Sequence, residues 1–202
     1  MAFHRVADRL IEQRPIDLSL DEIVLRAIAH GLGWDLAAFE QRGLLKLAYV
    51  SPIELSTDRF LDRARRAVEE LGARRAVLDS LTGMALGIPS DRRFSELVYA
   101  LAKHFHASGV TLDMNMEVTD LLGSGQLSGH GLSFAADNVI QLKYVEIEGH
   151  LERGLSVLKA RGVRHATDVR RLSVERDGVR VGAPFEGMRG VLTGLPVPSR
   201  AS

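Results

Sequence analysis

The chain is predicted to fold as an α/β protein, with a parallel sheet flanked by helices and extended by C-terminal antiparallel strands. Three observations predict this. Between Leu44 and Val118, short apolar runs alternate with amphipathic stretches of helical period, as in strands joined by crossover helices. From Asn138 onward, strand-like segments follow one another and turn at Asp177-Gly178, a dipeptide of tight hairpins. The 202 residues are 46% hydrophobic and 26% charged, enough apolar material for a globular core.

In order along the chain, Ile23, Val24, Ala27 and Ile28 recur at helical spacing within Asp21 to His30, and the pattern stops near Gly31. Asp35 to Gln41 reads as a second short helix. Leu44 to Val50 reads as a strand, ended by Ser51-Pro52. Thr57 or Asp58 caps a helix running to about Leu71, with Phe60, Leu61, Ala64, Val68 and Leu71 inward and Gly72 as its C-cap. Arg74 to Ser80 is a strand with Ala76, Val77 and Leu78 buried. Phe94 to Ser108 is a helix stopped by Gly109, and its His104 and His106, two apart, share no face for a metal. Val110 to Val118 is the next strand and places Asp113, Asn115 and Glu117 on one side. A glycine- and serine-rich loop covers Gly123 to Gly131. Strands then follow at Asn138 to Ile147 and Leu151 to Ala160, with a hairpin from Val169 to Val181 and a loose tail after Pro196.

Composition removes several classes. Lys plus Arg and Asp plus Glu are both 26, for a net charge of zero, which counts against nucleic acid as the main partner. There is no cysteine, so no disulfide or thiolate metal site exists. No apolar run reaches the roughly 20 residues that span a membrane, and the N-terminus lacks the apolar core of a signal peptide. A cytoplasmic location is the expectation.

Two constellations could carry chemistry. The first is Arg74-Arg75-Ala76-Val77-Leu78-Asp79-Ser80. An apolar strand ending in an acid is the Walker B pattern, whose Asp holds a Mg²⁺-bound water beside phosphates. Many buried strands also end in an Asp that caps the following turn. The second is Lys159-Ala-Arg161-Gly-Val-Arg-His165, preceded by Arg153. Two cations at i and i+2 on a strand point the same way and suit anion contact or an arginine finger. A solvated basic edge is the plainer alternative. A triphosphate needs more. The chain has four lysines, Lys46, Lys103, Lys143 and Lys159, and none stands in a GxxxxGK[ST] turn, where backbone N–H groups and a helix start cradle phosphate.

The residues from about Gly33 to Pro196 resemble a KaiC-type domain of the RecA-like ATPase superfamily. The resemblance rests on Gly33-Trp34-Asp35-Leu36, Ala67-Val-Glu-Glu-Leu-Gly, Ala76-Val-Leu-Asp79-Ser80-Leu, Glu117-Val-Thr-Asp120, Tyr144-Val-Glu-Ile-Glu-Gly, Lys159-Ala-Arg161-Gly and Gly190-Val-Leu-Thr-Gly, in the family's order. It implies a RecA-like sheet, with residues 1–32 a divergent N-terminal segment, 33–196 a truncated domain lacking its P-loop unit, and 197–202 a flexible tail. In that family ATP lies between subunits of a hexameric ring. One subunit gives the P-loop, a glutamate pair and the Walker B Asp; the next gives a strand-borne Lys, Arg and His.

By this resemblance Asp79 is the Walker B acid and would meet the metal only with Mg-ATP bound. Lys159, Arg161 and His165 match the group acting in trans, and Arg153 matches a position near the base or sugar. Glu12 falls near the glutamate pair, followed by Gln13. Ser133 falls on the family's phosphorylatable serine, with Phe134 in place of the threonine. No cofactor is expected for the isolated chain, and Mg-ATP is the family's ligand.

Three functions stay open: a regulatory module with an incomplete ATP site, an ATPase or autokinase subunit whose P-loop comes from a partner chain or an upstream segment, and an inert truncated paralogue. The expected partner is another copy or a complete KaiC-like protein. Loss of an inner strand would leave a gap in the sheet for Met1 to Leu18 to fill, with Phe3, Val6, Leu10 and Ile11 offered as one helical face.

Overall fold

A parallel sheet needs a crossover between neighbouring strands, and the first part of the chain supplies one after almost every strand. The structure, a computed structural model, describes residues 15–17, 22–51, 56–117, 135–175, 178–191 and 197–198. The expected Gly123–Gly131 loop and the face of Phe3, Val6, Leu10 and Ile11 lie outside the described residues. The chain divides into two compact units, Met1–Glu117 and Val118–Ser202.

The first unit contains strands β1 (Pro15–Asp17), β2 (Lys46–Leu47), β3 (Arg75–Leu78) and β4 (Thr111–Met114), and helices α1 (Glu22–Gly31), α2 (Leu36–Gln41), α3 (Thr57–Leu71), α4 (Leu81–Gly87) and α5 (Asp91–Ala107). The strands run in the order β2-β1-β3-β4, all neighbours parallel. Pro15–Asp17, in the segment expected to close the sheet through a helical face, is an inner strand bonded on both sides. Proline tolerates this because it is the first residue of its strand. The expected strand from Leu44 to Val50 shortens to Lys46–Leu47, since its partner β1 has three residues to pair with.

Four of the five described helices end by one device. Gly72 adopts φ 62°, ψ 37°, the left-handed region that costs other L-residues a Cβ clash. Its N–H and that of Ala73 bond back to the carbonyls of Glu69 and Val68, which satisfies the last turn of α3. The same pair of bonds ends α1 at Gly33, α2 at Gly43 and α5 at Gly109. The first helix ends at Gly31, as expected, with its closing bonds made by the N–H groups of Gly33 and Trp34. α5 starts three residues earlier than expected, because the Ser90 hydroxyl accepts a bond from Arg93 N–H at its N-terminus. α5 packs on β4 and α3. Its Phe94, Leu101 and Phe105 are buried, as are Ala64 of α3 and Ala76 and Leu78 of β3. Among the described side chains of α1 Ala29 is buried, while Val24 and Ile28 face outward.

The second unit holds β5 (Asn138–Ile147), β6 (His150–Ala160), β7 (Arg170–Glu175) and β8 (Gly178–Pro184), an antiparallel sheet in that order. A second small ladder joins β9 (Met188–Arg189) to β10 (Val197–Pro198). Glu148 and Gly149, both with positive φ, make the two-residue hairpin between β5 and β6. One face of the sheet buries Val145 and Ile147 against Phe185 and Val191. The other face exposes Ile140, Leu142 and Tyr144 of β5 and Leu151 of β6. Among the described residues no helix is long and apolar enough to cross a membrane.

Candidate functional site

In the first unit the polar groups collect at the C-terminal ends of the parallel strands, the edge where ligands of such sheets bind. β3 runs out of apolar residues at Leu78, and half-buried Asp79 follows it. The Asp79–Ser80 peptide is cis. Ser80 then caps α4, its hydroxyl accepting from Gly83 N–H at 3.3 Å. This short helix is absent from the sequence reading, although Ser80 three before Gly83, with Leu81 and Met84 both buried, is a cap signal.

The chain beyond β4 is tied to the same turn. Asn115 N–H donates to the Leu78 carbonyl (3.1 Å), Leu81 N–H to the Asn115 carbonyl (2.8 Å), and Glu117 N–H to Thr82 Oγ1 (2.9 Å). Asp113, Asn115 and Glu117 are all exposed and alternate with half-buried Met114 and Met116, but β4 ends at Met114, so of the three only Asp113 lies on the expected strand. β1 ends at Asp17, in register with Val77, where the sequence pattern shows no strand. An edge of carboxylates, hydroxyls and a carboxamide suits the waters of a divalent cation and gives a phosphate no counter-charge. Among the described residues no group of three His, Cys, Asp or Glu side chains converges to hold a metal by itself.

The cations belong to the second unit. Lys159 lies near the end of β6, and its Nζ donates to the Ala136 carbonyl at 2.7 Å. Arg161, just past the strand, donates its N–H to the Asp137 carbonyl (2.9 Å) and pairs through Nη1 with Asp137 Oδ1 (2.9 Å). Both side chains thus reach the segment before β5, which puts the pair together as their spacing implies. Asp137 as Arg161's partner is not apparent in the sequence, because the contact depends on the β5–β6 register. His165 is exposed in the loop after β6. Arg153 stands opposite Tyr144, its guanidinium 5.4 Å from the ring centroid and its Nε donating to the phenol oxygen at 3.3 Å. Six residues along a strand separate it from Lys159 by roughly 20 Å, so these two do not form one cluster. Glu12 and Ser133 lie outside the described residues.

Comparison with known proteins gives one family. The family model described as "ATPase: KaiC" matches residues 17–186. Circadian clock protein KaiC3 of Synechocystis sp. is 27% identical over 187 residues, covering 92% of this chain and 37% of that protein. Circadian clock oscillator protein KaiC of Parathermosynechococcus lividus is 29% identical over 170 residues, covering 83% of this chain and 31% of that protein. The chain thus spans about a third of the length of these curated relatives. The crystal structure of a KaiC-like protein from Pyrococcus horikoshii OT3 superposes with a TM-score of 0.76 at 24% identity, covering 90% of this chain and 84% of that one. That likeness concerns the fold.

Proposed function

Since this chain belongs to the KaiC ATPase family, we propose that it is a regulatory or scaffolding subunit with an incomplete ATP site, acting by self-association or by docking beside a complete KaiC-type ATPase. One observation carries the reading. The acidic strand edge around Asp79 and the cationic pair Lys159 and Arg161 are both present, while no GxxxxGK[ST] turn occurs in the 202 residues. A subunit of this kind offers cations to a neighbour's phosphates and lacks the loop that cradles its own. Self-association is supported by the exposed apolar side chains on the outer face of the β5–β8 sheet, where a water-facing antiparallel sheet ordinarily carries polar residues.

Asp79 favours a second reading, in which the P-loop comes from another chain or from an upstream segment and Mg-ATP then meets Asp79. Mixing experiments test both. The chain is added to a complete KaiC-type ATPase and hydrolysis is followed. A rate change that is lost with Arg161→Ala supports the subunit role. An unchanged rate with the wild-type chain overturns docking, and an equal change with Arg161→Ala overturns the role of the cation.

A further inference from the structure

We propose that the cleft between the end of β2 and the start of α3 binds an organic phosphate, specifically a phosphomonoester dianion with an aromatic or apolar body. The cleft has a volume of ≈730 Å³, within the roughly 300–1,000 Å³ of small-ligand sites. Tyr49 and Ser51 line it where the chain leaves the C-terminal end of β2, on the strand edge where parallel sheets bind ligands. This site is separate from the Asp79 edge and does not depend on the proposed subunit role.

Charge selects the ligand. Along α3, Asp62, which also lines the cleft, is held by Arg66 at 3.0 Å, and Glu70 is held by Lys46 at 2.8 Å. Arg59 and Arg63, one turn apart and both lining the cleft, have no ion pair or hydrogen bond among the described residues. Two like charges at i and i+4 repel. A dianion bridging both guanidinium groups removes that repulsion and receives paired N–H donors. The hydroxyls of Ser51 and Ser56 add donors, and the Ser56 side chain makes no capping bond to α3. The rings of Tyr49 and buried Phe60 give the body of the ligand an apolar wall. A free phosphate ion gains nothing from that wall, so the same geometry ranks an aryl phosphate above it.

The test titrates phenyl phosphate and inorganic phosphate into the full chain at low ionic strength, followed by calorimetry. Saturable binding of phenyl phosphate at one site is expected, weaker for inorganic phosphate. Arg59→Gln and Arg63→Gln should each lower affinity roughly tenfold or more, while Arg66→Gln should leave it near the wild-type value. Binding should also fall steeply with added salt, a readout that needs no variant. No saturable binding at millimolar phenyl phosphate overturns the proposal. So does affinity that both arginine variants leave intact, salt-independent binding, or equal affinity for inorganic phosphate.

Discussion

If the exposed face of the β5–β8 sheet carries the proposed self-association, replacing Leu142 with glutamate should disperse the assembly. Leu142 is 62% exposed at the middle of β5, with Ile140 at 61% two residues before it and Leu151 at 70% on β6. Direct cross-strand partners share a face, and the register puts Leu142 opposite Leu155, Ile140 opposite Val157, and Leu151 opposite Glu146. Fully burying such a side chain is worth roughly 1.5–3 kcal/mol. About three-fifths of the surface remains to be covered, so each of the three has roughly 1–2 kcal/mol still to gain from a partner. Together they offer about 3–6 kcal/mol towards association, before the entropic cost of docking. Leu142→Glu forfeits one share and places a carboxylate against apolar surface. Each copy loses it in a symmetric contact, so the dissociation constant should rise on the order of a hundredfold. Sedimentation equilibrium from about 1 to 100 µM spans that range for a typical association. The side chain faces solvent, so circular dichroism should show the variant folded. A wild-type chain that is monomeric throughout, or a variant that associates as well as wild type, refutes the reasoning.

Two further perturbations probe the first unit. Phe105 is fully enclosed at the end of α5, and Phe105→Ala should cost about 3–5 kcal/mol through lost burial and a cavity, read as a large drop in urea midpoint; a loss under about 1 kcal/mol would mean this core is not packed as described. Lys46 bonds Glu70 and, by that bond and its charge, holds the Glu70 carboxyl below the usual glutamate value. A lowered folded-state value stabilises above the unfolded-state pKa and is lost as pH falls through the lowered one. Lys46→Met should therefore move Glu70 up toward the ordinary value in a carboxyl NMR titration and remove that acid-side loss, whereas an unmoved Glu70 titration would contradict the ion pair.

Legibility in the sequence followed the range of the interactions involved. α3 was readable end to end, because its apolar stripe and Gly72 are local signals. β5 and β6 were readable because two-period alternation survives on a sheet with one buried face. β1 was not: Pro15 and Asp17 are poor strand formers, and Pro15–Asp17 is a strand through its ladders to β2 and β3. The short β2 follows from the same cause, since a ladder is no longer than its partner. At the candidate site, Asp79 stood out as the acid ending an apolar run, and Lys159 with Arg161 as paired cations. The bonds that fix their surroundings, Asn115 to Leu78 and Arg161 to Asp137, join segments distant in sequence. Such contacts leave no local pattern to read.

On the proposed reading, this chain alone should hold no nucleotide at the Asp79 edge. Calorimetric titration of Mg-ATP into the chain carrying Arg59→Gln and Arg63→Gln tests it most directly, since those changes should weaken any phosphate binding at the α3 cleft. The account predicts no saturable heat. Tight one-to-one binding would contradict it, since these 202 residues carry no GxxxxGK[ST] turn to hold the phosphates.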